Sequence, residues 1–278
     1  MQPSNPAYLH LRADLSIARR DRHNQDASRT PISFDTLRRQ DLKCKPEDLI
    51  VPVDEQLAFK ITDVKQRMSV NDERTRYVYR ACAVVVNRLH EDEIVMQYDV
   101  VCKVGYHKAQ LDFIRDEAKI YEKHFLTPGT MGQVVPTYMG LFVGDTYEGM
   151  TTVLVLEDCG RPLLDCLSHY SLEFRIDVIA ALTAVHMAGV TLPGFYEENI
   201  VVKKRPGETK YTPIIVDFSC AHSHECFIRE DNCAITEVNV FVIDCHSFPC
   251  GDLRKAYIYA ELWIPSEWSG LYGHVVPH

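Results

Sequence analysis

The sequence HMAGVTLPGFYEENIVV, residues 186–202, joins the end of a predicted helix to the start of a predicted strand. Apolar residues three or four positions apart predict the helix over residues 172–188. Gly189 is suited to end that helix because glycine readily takes the left-handed conformation that follows a helix. The short apolar run at residues 200–202 predicts the strand. The loop between them carries three adjacent polar residues, Glu197, Glu198 and Asn199.

The chain before this loop is predicted to form an antiparallel sheet with one helix. Alternating or continuous β-branched and aromatic residues, separated by polar turns, predict strands, whereas apolar residues three or four apart predict an amphipathic helix. The predicted strands cover residues 57–61, 77–87, 93–104, 134–143 and 152–156, and the predicted helix covers residues 107–125. The element order of the first half is therefore β-β-β-α-β-β.

The composition divides the chain into three parts. Residues 1–50 mix Pro, Arg, Asp and Ser with few periodic apolar positions, and we interpret them as a partly flexible N-terminal extension outside the core. Residues 51–158 hold the predicted sheet and its helix. Residues 159–278 hold the other predicted helices, the last of them at 252–262, and short apolar runs. We therefore expect two folded parts that follow an extension.

Four residues, together with the order of the predicted elements, resemble motifs of the protein-kinase-like superfamily, within residues 57–263. Lys103 ends the run Val-Val-Cys-Lys, and Glu117 lies in the following helix. Asn199 closes the loop after Gly189, and Asp217 begins Asp-Phe-Ser after an apolar run. The resemblance implies an α+β fold of two lobes, with a five-stranded antiparallel N-lobe sheet, one N-lobe helix and a short, mostly helical C-lobe.

The resemblance implies that Lys103 holds the phosphates of ATP. Glu117 would orient this lysine, and Glu122 on the same helix is the alternative partner. The competing interpretation is that Lys103 is a surface lysine at a strand end and that Glu117 is an exposed helix glutamate. The pairing of these side chains is therefore the point to check in the structure.

The remaining cofactor residues implied by the resemblance follow the last predicted strand of the sheet and the loop. Glu157 and Cys159 lie where the backbone of a kinase-like hinge meets adenine. Asn199 and Asp217 correspond to the family's two Mg²⁺ ligands, and both offer the oxygen atoms that Mg²⁺ prefers. ATP and Mg²⁺ are accordingly the expected cofactors.

The catalytic base of the family is missing from the loop. Counting five residues back from Asn199 reaches Gly194, where an active kinase has an aspartate. Glycine has no side chain to accept a proton, so Glu197 and Glu198 are the local candidates for a relocated base. The stretch 62–76 also contains no glycine, so the family's glycine-rich phosphate loop is missing and the affinity for ATP is in question.

Cysteine and histidine are dense after residue 217, which raises the question of zinc. The spacings do not repeat a paired Cys-x-x-Cys pattern, so packing and loop residues are the alternative to a closed zinc site. The residues are Cys220, His222, His224, Cys226, Cys233, Cys245, His246 and Cys250. This tail also resembles the abbreviated C-lobe of kinase-like proteins abundant in mushroom-forming fungi.

The bulk composition excludes several function classes. The net charge of −9 disfavours a nucleic-acid partner, because such binding needs clustered Lys and Arg. No apolar run is long enough to cross a bilayer and the start does not read as a signal peptide, so we expect no membrane and a cytoplasmic location, with the nucleus as the alternative. The 10 cysteines are scattered along the chain, which favours reduced thiols.

Two functions follow from the resemblance. The first is a pseudokinase that binds ATP and Mg²⁺, or no nucleotide at all, and acts as a binding or regulatory module with a nucleotide and a protein as its partners. The alternative is an atypical ATP-dependent phosphotransferase that uses Glu197 or Glu198 as its base on a small molecule or a protein. A third hypothesis is unrelated chemistry on a similar fold, but no residue of the sequence indicates a particular reaction.

Overall fold

The computed structural model describes residues 5–12, 34–40, 42, 53–70, 76–106, 108–126, 130–146, 148–204, 207, 210–225 and 250–262. The chain divides into two compact units. The first unit comprises Met1–Leu126 and Thr137–Asp158, and the second comprises Thr127–Pro136 and Cys159–His278.

A closed barrel of seven strands forms the first unit. Its strands are β1 (Asn5–Arg12), β2 (Phe34–Arg39), β3 (Val53–Val70), β4 (Arg76–Asn87), β5 (His90–Tyr106), β6 (Tyr138–Thr146) and β7 (Gly149–Glu157). They pair in the order β1-β2-β6-β7-β5-β4-β3, and β1 closes the barrel by running parallel to β3. Closure pairs the strand edges that an open sheet would leave exposed.

The barrel core is filled by every second residue of its strands. On β5, Val100, Cys102 and Val104 are buried in this core. Successive side chains of a strand point to opposite faces, so Lys103 lies on the outer face of β5. Helix α1 (Lys108–Ile120), which continues into a π-helical turn (Tyr121–Phe125), packs against β5 and β7. The apolar stripe that predicts this helix is buried: Leu111, Ile114, Ala118, Tyr121 and Phe125.

The second unit combines helices with short strands. Helix α2 (Leu172–Met187) begins after Ser171, whose hydroxyl accepts a hydrogen bond from the Phe174 N–H, and helix α3 is Gly251–Tyr259. One small sheet has the order β11 (Tyr211–Ile215), β10 (Ile200–Lys204), β8 (Arg161–Pro162), and a second pairs β9 (Val190–Thr191) with β12 (His222–Ser223). Two 3-10 turns, Leu167–His169 and Glu197–Asn199, connect these elements.

The predicted fold class is wrong. The described residues form mostly strands, with a closed seven-stranded barrel and three short α-helices, and not a two-lobed kinase-like fold with a five-stranded sheet and a mostly helical C-lobe. The physical reason lies within residues 1–50, which supply β1 and β2. Alternation of Ala7, Leu9 and Leu11 buries one face of β1, and Leu37 of β2 is buried with it.

Helices of the described ranges are too short or too polar to cross a membrane.

Candidate functional site

Lys103 and Glu117 form a buried ion pair in the first unit. The Lys103 Nζ donates to both carboxylate oxygens of Glu117, at 2.7 and 2.8 Å. The side chains of Lys103 and Glu117 are 12% and 1% exposed. Glu122, the alternative partner, instead accepts a hydrogen bond from the Tyr138 hydroxyl at 2.8 Å. The structure therefore brings the first predicted pair together and does not leave either residue on the surface.

Strand β5 and helix α1 position this pair. Lys103 lies opposite Val78 of β4 and Leu154 of β7, so paired strands fix its backbone on both sides. Gly105 lies two residues later, and a Cβ at this position would approach the Ile114 Cδ1 to 2.7 Å. The glycine thus allows α1 to approach β5 closely, and this approach holds Glu117 within reach of Lys103.

Asn199 and Asp217 lie at one end of the antiparallel strands β10 and β11 in the second unit. The Val216 N–H donates to the Asn199 backbone oxygen at 2.8 Å, and the Asn199 Nδ2 donates to the Val216 oxygen at 3.4 Å. The Asn199 Oδ1 accepts from the Tyr196 N–H at 3.1 Å. These bonds fix Asn199 beside Val216, the residue that precedes Asp217 in the chain.

Asp217 has a left-handed backbone conformation, with φ at 64°. A residue other than glycine in this region costs on the order of 1–3 kcal/mol, although Asp and Asn enter it more readily than most residues. Asp217 is exposed, whereas its neighbour Phe218 is buried. The buried phenylalanine anchors this turn and leaves the Asp217 carboxylate on the surface.

Glu157 and Cys159, the predicted hinge residues, both contact neighbouring protein groups. The Glu157 Oε2 accepts from the Thr137 hydroxyl at 2.6 Å, and the Glu157 N–H donates to the Thr137 carbonyl at 2.9 Å. Cys159 is buried in a small apolar cluster with Val201 and Ile214. Glu157 belongs to the first unit and Cys159 to the second. Their role toward adenine stays a prediction.

The two candidate bases differ in their surroundings. Glu197 is anchored, because its Oε1 accepts from the Leu167 N–H at 2.7 Å and its Oε2 accepts from the Tyr259 hydroxyl. Burial alone would raise the pKa of Glu197, but the hydrogen bonds from Tyr259, its own N–H and Leu167 lower it below its usual value. Glu198 is exposed. Glu197 is thus an ionised carboxylate engaged in holding the loop.

Gly194 has a left-handed conformation that favours glycine. Its φ is 78°, and a Cβ added there would lie 3.2 Å from the Tyr196 ring. Any residue with a side chain would be strained at this position. Glycine at position 194 therefore fits the backbone of this loop.

Sequence reasoning missed a cluster of three side chains in the second unit. The His186 Nδ1, the His224 Nε2 and the Cys250 Sγ lie within 4.8 Å of one another. Burial first, and then the nearby His224, lower the pKa of His186 to about 4. His224 and Cys250 belong to the dense Cys/His segment, but His186 comes from α2, and only the folded chain shows that it joins them. Four other members of that segment lie outside the described residues: Cys226, Cys233, Cys245 and His246.

No family model and no curated protein matches the chain. Among the candidate site residues, Lys103 and Glu117 are in direct contact in the first unit. In the second unit, Asn199 is hydrogen-bonded to Val216, the residue before Asp217.

Proposed function

We propose that this chain binds ATP with Mg²⁺ and does not transfer the phosphoryl group, so that it acts as a binding or regulatory module. The observation that carries the proposal is the buried Lys103–Glu117 ion pair. A buried ion pair is weak evidence for stability, because its desolvation cost offsets much of its attraction. Its presence at the positions where the kinase-like resemblance expects a phosphate-binding lysine and its orienting glutamate supports a binding role.

Lys103 supports the phosphate half of the proposal. An ammonium group is a compact point charge with three N–H donors, and lysine is a common ligand of phosphate oxygens. Both oxygens of Glu117 accept from the Lys103 Nζ, which restricts the lysine to one rotamer. A lysine held in this way loses less side-chain entropy when a phosphate binds, because the ordering is already present before binding.

Asn199 and Asp217 support the Mg²⁺ half. Mg²⁺ in nucleotide sites takes one or two protein oxygen ligands and completes its shell with phosphate oxygens and water. The exposed carboxylate of Asp217 and the amide oxygen of Asn199 are such ligands. The Asn199 Oδ1 already accepts one hydrogen bond from the Tyr196 N–H, and an amide oxygen has a second lone pair.

Two features of the loop support the absence of transfer. Gly194 offers no group that accepts a proton, and the conformation at this position disfavours any replacement with a side chain. Glu197 accepts hydrogen bonds on both of its oxygens. A general base must be within hydrogen-bond reach of the proton it removes, and a carboxylate anchored to Leu167 and Tyr259 is not available for that role.

Thermal denaturation of the full chain with Mg²⁺ and ATP tests the proposal. A ligand at a hundred times its Kd stabilises the folded state by about 2.7 kcal/mol, so the midpoint should rise with ligand concentration. The rise should be absent in Asp217→Asn and in the double variant Lys103→Met/Glu117→Leu, which removes both charges together. Asp165→Asn, an exposed carboxylate of the second unit, is the control and should keep the wild-type rise.

A turnover assay with the same protein tests the absence of transfer. The wild-type chain should bind ATP without releasing ADP. ATP consumption that disappears in Glu198→Gln, while the thermal shift persists, would replace this proposal with the phosphotransferase alternative. A wild-type chain with no thermal shift at any ATP concentration would refute nucleotide binding altogether.

A further inference from the structure

We propose that His186, His224 and Cys250 bind a zinc ion within the second unit. The inference is independent of nucleotide binding, because it uses none of the residues assigned to ATP or Mg²⁺. One thiol sulfur and two imidazole nitrogens are the ligand types that a borderline-soft cation such as Zn²⁺ prefers over the oxygen ligands of Mg²⁺.

The two sulfur–nitrogen distances match a tetrahedral zinc site. With Zn–S at about 2.3 Å and Zn–N at about 2.0–2.1 Å, tetrahedral angles place the sulfur about 3.6 Å from each nitrogen. The Cys250 Sγ lies 3.6 Å from the His186 Nδ1 and 3.6 Å from the His224 Nε2. Without a metal, the sulfur can donate its one hydrogen to one imidazole and accept an N–H from the other. The same three atoms would serve as zinc ligands once the thiol is deprotonated.

Three different elements carry the ligands. His186 lies in the last turn of α2, Cys250 immediately precedes α3, and His224 immediately follows β12. The pairing of β12 with β9 and the hydrogen bond from the His224 N–H to the Gly189 oxygen, at 2.8 Å, hold His224 next to the end of α2. The ligands are therefore on fixed backbone positions, as a preformed metal site requires.

Burial distinguishes this cluster from surface histidines and cysteines. His186 is 1% exposed and Cys250 is 4% exposed, while His224 is half-buried. Buried polar groups need partners, and a bound cation satisfies all three at once. When the metal binds, the Cys250 thiol releases its proton to solvent and the sulfur coordinates as a thiolate. Three protein ligands leave one tetrahedral position for water or another exchangeable ligand.

The exposed neighbours Cys220 and His222 supply matched control variants. Cys250→Ser and His224→Asn each remove one ligand, and Cys220→Ser and His222→Asn make the same chemical changes outside the cluster. The full-length chain is first stripped with a chelator under reducing conditions, without ATP or Mg²⁺. Zinc affinity is then measured by competition with a chromophoric chelator.

We expect the wild-type chain and both controls to bind zinc with the same affinity. Removal of a group that hydrogen-bonds to a metal ligand lowers metal affinity by roughly 10–100-fold. Cys250→Ser and His224→Asn each remove a ligand itself, so their zinc affinity should fall by more than this. Added Mg²⁺ should not compete. Equal losses in the controls, or no loss in the ligand variants, would overturn the proposal.

Cobalt substitution of the wild-type chain tests the same site without any variant, which removes the question of whether a variant folds. Co²⁺ bound at a tetrahedral site with one thiolate gives a sulfur-to-metal charge-transfer band. Zinc should displace the cobalt and abolish the band. A wild-type chain that binds Co²⁺ without this band, or that binds neither metal, would also overturn the proposal.

Discussion

The Lys103–Glu117 pair of the first unit and the Asn199–Asp217 pair of the second are held by different means. The first is a buried contact between a strand and a helix, with Glu117 only 1% exposed. In the second, one backbone bond and one side-chain bond tie Asn199 to Val216 at the end of a strand pair, and the neighbouring Asp217 is exposed. If the proposed nucleotide binding holds, substitutions in the first pair should change stability and binding together, whereas substitutions in the second pair should separate the two.

The largest effect is expected from breaking the buried pair. Glu117→Ala leaves the Lys103 ammonium without its carboxylate partner, and loss of one member of a buried pair costs about 3–5 kcal/mol. Chemical denaturation should show this loss in the free energy of unfolding. Asp116→Ala, which breaks an exposed pair with Lys119 on the same helix, should cost no more than about 1 kcal/mol. Equal losses in both variants would contradict the distinction between buried and exposed pairs.

Local patterns predict the strand and the helix that carry the first pair, whereas the pairing of Lys103 with Glu117 is implied by the kinase-like resemblance. The apolar stripe of α1 predicts a helix whose buried face includes Leu111 and Ile114, and the strand run before it predicts β5. Helix α1 packs on β5, the strand that directly precedes it, and this brings Glu117 near Lys103. The contact therefore joins residues that are close in the sequence. Asn199 and Asp217 likewise flank β10 and β11, which are consecutive strands that pair with each other.

Long-range pairing explains what the sequence did not predict. Barrel closure depends on the parallel pairing of β1 with β3, and no local pattern specifies that partner. The alternation of Ala7, Leu9 and Leu11 is a strand signal, but the polar residues around it favoured an extension. The His186, His224 and Cys250 cluster also joins three distant segments. The cysteines and histidines of this segment are residue types that bind metals, but only the fold shows which of them lie close together.

A smaller effect is expected in the loop that precedes Asn199. Gly194→Ala should lower the free energy of unfolding by about 1–2 kcal/mol, because an L-residue at a φ of 78° is strained. Gly251→Ala is the matched control, since a Cβ there meets nothing within 4 Å and its φ is not left-handed. That control should be neutral or stabilising by about 0.4–1 kcal/mol. A Gly194→Ala variant as stable as its control would show that the loop backbone adapts.

Tyr259→Phe should have a pH-dependent effect of about 1 kcal/mol or less, because Glu197 is partly solvated. Burial opposes ionisation of Glu197, but the Tyr259 hydrogen bond and two backbone N–H groups bring its pKa below the ordinary 4.5. A lowered carboxylate pKa stabilises the fold above that ordinary value, and the stabilisation is lost as the pH falls through the folded-state pKa.

Denaturation curves at several pH values measure this effect. The variant should be less stable than wild type at neutral pH, and the difference should shrink below pH 4.5, where Glu197 becomes protonated. Tyr211→Phe, at an exposed tyrosine, should follow the wild-type curve at every pH. A difference that stays constant on acidification would show that Tyr259 acts through packing and not through Glu197.

The smallest effect on stability is expected from Asp217→Asn. Asparagine has nearly the same shape and also accepts the left-handed conformation that Asp217 adopts at a φ of 64°, so the free energy of unfolding should change by less than about 0.5 kcal/mol. The variant should nevertheless lose the Mg²⁺-dependent thermal shift, because it removes the negative charge that attracts the cation. A stability loss above 1 kcal/mol without ligand would instead assign the carboxylate a structural role. The two pairs would then both couple binding to folding, and the contrast between them would disappear.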